Sequence, residues 1–214
     1  IYDLVVEEGT AIKKLLDAGK LVHADEDSAY EERKEAERVL GLRGFARYEV
    51  SNYALPGSEC LHNMTYWSMN SYLGVGSGAV STLNIDGGRA AASLGHSGCA
   101  ALRIEEGKDL ALYAAAPDDA AASLWIDRKD SAFEAVMMAL RTTDGLDEKR
   151  FEDRFGLPPG KILAGTIEKW KALFVEPPGH LRLNDRGLDI LNRILVDALE
   201  EMDGSFPVAE AERQ

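Results

Sequence analysis

Apolar and polar positions along this chain keep changing rhythm, and each change predicts an element. Leu4, Val5 and Val6 form a short β-branched run closed by Glu8-Gly9-Thr10, and Thr10 is placed to cap a brief helix from Ala11 to Ala18 that ends at Gly19. From Asp25 or Ser28 to Leu40, the residues Ala29, Ala36, Val39 and Leu40 recur at loose helical spacing among Glu, Arg and Lys, with Gly41 as a stop. That pattern predicts a surface helix with a thin apolar face. Phe45 to Val50 alternates as a strand until Ser51-Asn52 and the Leu55-Pro56-Gly57 turn break it. Strand, helix, strand is the order of a parallel α/β sheet. Tyr72 to Ser81 predicts a further short strand running into a glycine-rich bend, followed by an irregular stretch from Asn84 to Gly98.

The rhythm then shifts. Between Ala114 and Ala122 the chain is Ala-rich around Pro117-Asp118-Asp119, which marks the end of the sheet domain, and a second unit starts near Asp127. Ser131 and Glu134 have capping-box spacing, and Phe133, Val136, Met137 and Leu140 fall on one helical face. Asp147 can cap a helix carrying Phe151 and Phe155 to Gly156. After Pro158-Pro159 another helix should run to about Leu173 with Ile162, Leu163, Ile167 and Trp170 inside. Pro177-Pro178-Gly179 forces a turn, and Leu181-Arg182-Leu183 is a minimal strand. The last helix, from Asn184 or Asp185 to Met202, should bury Leu188, Leu191, Ile194, Leu195 and Ala198. Helices with a small β-wing predict a winged-helix-like unit.

Composition narrows the function. With 24 Lys plus Arg against 37 Asp plus Glu, the formal charge of -13 repels phosphate backbones and acidic membrane surfaces. The helices of the second unit are themselves acidic (Glu148, Glu152, Asp153, Glu200, Glu201), so nucleic acid is not the expected partner. Two cysteines, Cys60 and Cys99, are too few for a disulfide scaffold and suit a reducing, cytoplasmic setting. No apolar run approaches the roughly 20 residues of a membrane helix, so no stable membrane insertion is expected. His23, His96 and His180 lack a partner at metal-ligand spacing and are expected to be exposed loop residues without a role. Gly74-Val75-Gly76-Ser77-Gly78 lacks the following helix and acidic residue of a dinucleotide fingerprint, which excludes a Rossmann site.

Four stretches carry a resemblance. They are Tyr48-Glu49-Val50-Ser51-Asn52-Tyr53-Ala54, then Pro56-Gly57-x-Glu59-Cys60-x-His62-Asn63-x-x-Tyr66-Trp67, then Tyr72-Leu73-Gly74-Val75-Gly76-x-Gly78-Ala79, and the helical region from Ala132 to Leu199 with Leu140-Arg141-x-Thr143-x-Gly145-Leu146. In this order they resemble the HemW-like branch of the oxygen-independent coproporphyrinogen III oxidase family. The resemblance implies an α/β fold in which residues 1–127 are the C-terminal portion of a partial TIM-like radical-SAM barrel, 128–203 a small winged-helix-like domain, and 204–214 a tail. It also implies S-adenosylmethionine and a 4Fe-4S cluster in the full-length family, together with porphyrin biosynthesis, oxidoreductase chemistry or haem binding. No Cys-x-x-x-Cys-x-x-Cys occurs in this sequence, so the chain is expected to be inactive alone and to need the barrel half that bears the cluster. Asn184-Asp185-Arg186-Gly187 departs from the family's Thr-Pro-x-Gly, although Asn still serves as an N-cap.

Site expectations follow from that resemblance. His62, Tyr66 and Trp67 are the haem-binding candidates, the imidazole as axial iron ligand and the aromatics as flanks, at the C-terminal end of a strand. The alternative is a histidine bonded to a loop carbonyl beside core aromatics. Cys60 is a second soft ligand or simply a small apolar group. Gly74, Gly76, Gly78 and Val80 are candidates for the S-adenosylmethionine cavity, where Val80 replaces a histidine common in the family. Glu49, Ser51 and Asn52 either point into that cavity or cap a turn. The parent is thus expected to be an oxidase-like protein or a HemW-type haem chaperone, with this chain as cavity wall and lid. The alternative is a non-catalytic protein-binding or regulatory module using the winged-helix-like unit. An incomplete barrel leaves sheet edges and apolar faces uncovered, which invites a homodimer.

Overall fold

The structure is a computed structural model that describes residues 1–2, 4–85, 89–116, 122–175 and 177–206. The expected Pro117-Asp118-Asp119 boundary and most of the 204–214 tail lie outside the described residues. The chain divides into two compact units, Ile1–Cys60 and Leu61–Gln214.

In the first unit, α1 (Ala11–Asp17) starts where Thr10 Oγ1 accepts the Lys13 amide, and α2 (Glu26–Leu42) starts where Asp25 accepts the Ser28 amide. Both caps are those the sequence predicts. Strands β1 (Ala46–Arg47) and β2 (Tyr53–Ala54) pair antiparallel. The expected long strand over 45–50 is therefore one arm of a tight hairpin, and the parallel pairing is corrected. The cause is local. Arg47 Nη2 donates to the Val50 carbonyl at 2.6 Å and Glu49 Oε1 accepts the Ser51 amide at 3.0 Å, so the chain's own side chains close the turn. Leu4 to Val6 form no strand; Leu4 and Val5 are exposed.

In the second unit, α3 (Leu61–Trp67) precedes the glycine-rich bend. Strands β3 (Val80–Asn84), β4 (Cys99–Glu105) and β5 (Ala122–Asp127), with a short helix α4 (Arg89–Ser93) between the first two and α5 (Leu110–Ala115) between the last two, make an antiparallel sheet in the order β3-β4-β5. The strand expected at Tyr72 to Ser81 begins later. Tyr72 contributes only an isolated bridge to Thr82. Ala101 and Ile126 on the inner face of this sheet are buried, and α6 (Arg128–Ala139) packs on β4 and β5. Sheet and helices thus share one body, and the units part at Cys60–Leu61, well before the expected boundary at 127/128.

Asp127, not Ser131, caps α6: its Oδ1 accepts the Asp130 amide at 2.7 Å. Ser131 lies fully buried inside the helix and accepts from Arg154, while Glu134 pairs with Arg103. Next come β6 (Leu146–Asp147) and α7 (Glu148–Phe155), with the predicted Asp147 cap and a left-handed Gly156 at its end. The single helix expected after Pro158 is divided into α8 (Pro159–Ile162) and α9 (Ala164–Lys169). The Glu201 carboxylate takes the amides of Gly165 and Thr166 at 2.7 and 2.8 Å, which recaps the chain at α9 from another helix. Strands β7 (Phe174–Val175) and β8 (His180–Leu183) complete a second antiparallel sheet, β6-β8-β7. Finally α10 (Asp185–Asp189), capped by Asn184, leads into α11 (Leu191–Ser205). The predicted Leu188, Leu191, Ile194, Leu195 and Ala198 are all buried, against a core with Val136, Leu140, Phe155 and Leu163. Among the described residues no helix is long and apolar enough to cross a membrane.

Candidate functional site

Helix α3 organises the candidate site. At about 100° per residue, His62 and Tyr66 share one face, while Met64, Trp67 and Ser68 occupy roughly the opposite one. The contacts follow that division. His62 is exposed, and its Nε2 lies 3.1 Å from the Tyr66 hydroxyl. The two rings meet edge to face with centroids 4.9 Å apart. Tyr66 in turn meets Tyr72 edge to face at 4.7 Å. Tyr72 is fixed to β3 by paired backbone hydrogen bonds with Thr82 and by the Thr82 hydroxyl, which donates to the Tyr72 oxygen at 3.2 Å.

The other face of α3 lines a cavity of about 230 Å³. Met64 and Trp67 face Ala135 and Ala139 of α6, Phe151 of α7, the loop residues Thr142, Asp144 and Gly145, and β6. Arg150, whose Nη2 donates to Asn70 Oδ1 at 2.7 Å, and His180 complete the wall. The Trp67 Nε1 and the His180 Nδ1 are both buried without a hydrogen-bond partner. His62 and Tyr66 are therefore brought together as expected, whereas Trp67 turns inward and cannot flank a ligand held on the His62 face. His62 also sits in the first turn of a helix rather than at a strand end. His180, given no role from the sequence, is a half-buried cavity residue at the start of β8. The Leu181-Arg182-Leu183 strand beside it is legible in the sequence, but the pairing with β6 and β7 that brings His180 to the cavity is not. His96 is an exposed loop residue, as expected, and its ring stacks on Trp125 at 4.2 Å.

Each candidate glycine has a local reason. A Cβ on Gly74 would stand 2.3 Å from the Val80 carbonyl oxygen, so Gly74 admits the backbone of β3. Gly76 and Gly78 have φ of +117° and +72°, and the Gly76 amide donates to the Tyr113 hydroxyl at 3.1 Å. Val80 opens β3 and is half-buried. In the first unit Glu49 is 2% exposed and caps the hairpin turn, and Asn52 Nδ2 donates to the Tyr2 hydroxyl at 2.9 Å. Cys60 is exposed. Cys99 is half-buried, and burial first, then the Asp127 charge, pushes its thiol up. Among the described residues no group of His, Cys, Asp and Glu could hold a metal ion by itself.

Residues 126–190 match the HemN C-terminal domain family. The chain is 42% identical over 78 residues to the heme chaperone HemW of Mycobacterium tuberculosis, which is 36% of this chain and 20% of that protein. A longer alignment, 26% identical over 198 residues, covers 91% of this chain and 48% of the heme chaperone HemW of Lactococcus lactis. The solved structure of coproporphyrinogen III oxidase HemN from Escherichia coli, described as a radical SAM enzyme, superposes with a TM-score of 0.56 at 14% identity over 82% of this chain and 42% of that one. The chain is thus similar to parts of HemW and HemN proteins. The mouse mitochondrial radical S-adenosyl methionine domain-containing protein 1 is also similar, 43% identical over 79 residues, 37% of this chain and 18% of that protein. The chain spans about half or less of each of these relatives, and at 14% identity the HemN structure speaks for the mixed α/β fold alone.

Proposed function

We propose that this chain is the haem-handling C-terminal part of a cytoplasmic radical-SAM protein of the HemW type, in whose second unit the β3-β4-β5 sheet serves as cavity wall and residues 128–203 as a winged-helix-like lid. The observation that carries the reading is His62. It is an exposed imidazole on a short helix that also bears Tyr66, in a chain whose similar proteins include heme chaperones. The ring offers a nitrogen lone pair to ferric or ferrous iron, and Tyr66 supplies an aromatic edge beside it. Haem is the cargo in this reading.

The residues present do not fit a cluster. Cys60 and Cys99 fall short of a three-thiolate set, and the Cys99 thiol is held toward its neutral form by burial. S-adenosylmethionine, with a cluster held by residues other than those of this chain, would supply radical chemistry in a longer protein. Gly74, Gly76, Gly78 and Val80 of the second unit remain the residues proposed to line its cavity, whereas Glu49 and Asn52 are accounted for by hydrogen bonds within the first unit, to Ser51 and Tyr2. The exposed apolar side chains of the first unit make a homodimer the proposed assembly of this chain alone.

Titration of the purified chain with ferric haemin tests the reading. A Soret shift that saturates near one haem per chain is expected, and His62→Ala should weaken binding on the order of tenfold or more. An unchanged spectrum and midpoint in that variant would remove His62 as the ligand.

A further inference from the structure

Nε2, the outer of the two His62 ring nitrogens and the one taken here as the iron ligand, is already engaged. A neutral imidazole has one protonated nitrogen and one lone pair, and the Tyr66 hydroxyl sits 3.1 Å from His62 Nε2. In one tautomer Nε2 accepts the phenol proton; in the other it donates to the phenol oxygen. Either way Nε2 reaches iron only after Tyr66 releases it. Resting on the reading of His62 as a haem ligand, we infer that Tyr66 is a positioning residue that competes with haem iron for His62 Nε2 and so keeps the bound haem releasable.

Three features hold the competitor in place. The i, i+4 spacing on α3 puts the two side chains on one face. The edge-to-face packing of Tyr66 on Tyr72 restrains the phenol from the far side. Tyr72 is in turn anchored to Thr82, which is 5% exposed in the middle of β3, so the chain of contacts ends in the sheet rather than in a mobile loop. A side chain braced this way returns to His62 whenever iron leaves. A cargo that must be handed on needs such a return, because an unopposed ligand only lowers the rate of release.

Tyr66→Phe removes the hydroxyl and keeps both ring contacts. Haemin titrated into this variant of the full chain should bind about two- to tenfold tighter than wild type, the range spanned by the net worth of one hydrogen bond. Without any haem, the ¹⁵N resonances of the His62 ring should shift in Tyr66→Phe, a change that mere loss of packing elsewhere would not produce. The His62→Ala arm separates the failures. If His62→Ala weakens binding while Tyr66→Phe either binds haemin no more tightly than wild type or leaves the His62 ring resonances unmoved, the competition is overturned and the ligand assignment stands. If His62→Ala binds haemin as wild type does, the ligand reading falls and the competition with it.

Discussion

Cys99 and Cys60 differ in ways that set their reactivity. Cys99 lies on β4 opposite Asp127 of β5, half-buried, so desolvation and then a nearby carboxylate disfavour its thiolate. Cys60 is exposed. A disulfide reagent at neutral pH should therefore modify one thiol per chain quickly and the second at least severalfold more slowly, and Cys60→Ser should delete the fast phase. A fast phase that survives in Cys60→Ser would contradict the burial of Cys99. At this scale the sequence shows which residues matter more readily than it shows where they point. The His62, Tyr66 and Trp67 string was legible, but the opposite facing of Trp67 appears only once the segment is known to be helical. Ser131 with Glu134 satisfies the spacing of a capping box, yet both side chains have partners from elsewhere, Arg154 and Arg103. Spacing alone cannot register a competing long-range partner.

Among the elements, those that terminate themselves were legible. Thr10, Asp25 and Asp147 each cap the helix the pattern assigned to them, and Asn184 caps α10, the first of two helices where the pattern has one, because a cap is a hydrogen bond to an amide two or three residues on. Elements whose ends are set by distant residues were not. The break between α8 and α9 comes from Glu201, and β4 and β5 pair across α5 and the 117–121 segment. Gly145 illustrates how tightly one such pairing binds the chain. It has φ +75°, its amide donates to Thr142 Oγ1, and a Cβ there would stand 2.4 Å from Arg182 Cβ and 2.5 Å from the Leu181 carbonyl oxygen. Gly145→Ala should cost about 2–4 kcal/mol, the sum of a left-handed alanine and an overpacked contact with β8. Gly160→Ala is the control: it sits in α8 with nothing within 4 Å of the added methyl and should leave stability unchanged or raise it by about 0.5 kcal/mol. Urea unfolding of both variants measures the difference, and equal midpoints would show that β6 does not close on β8 as described.

Across the whole molecule, burial is divided unequally between the units. The second unit holds nearly all the buried apolar side chains, with Leu140, Phe155, Leu163, Leu181, Ile194 and Met202 each below 2% exposure. Among the described residues of the first unit the buried ones are Glu49 and Ala54, while Ile12, Leu15, Tyr30, Val39, Leu42 and Phe45 are exposed and neither α1 nor α2 buries a residue. The expected parallel sheet would have covered those side chains between strand and helix. What forms instead is a hairpin of short strands, since Arg47 and Glu49 turn the chain back within a few residues. At about 25 cal/mol per Å² of apolar surface removed from water, such a unit gains little to offset the entropy of ordering α2. Its opening free energy should lie near the low end of the molecule's range, and that of α11 near the top. Hydrogen exchange on the intact chain is expected to show α2 amides exchanging orders of magnitude faster than those of α11. Limited trypsin digestion should cut within 1–60 first, at sites such as Lys13, Lys20 or Arg33, leaving a persistent fragment of the second unit. Protection of α2 equal to that of α11 would mean that its exposed apolar face is covered in solution, and a second copy of the chain would then be the first partner to seek, by sedimentation at increasing concentration.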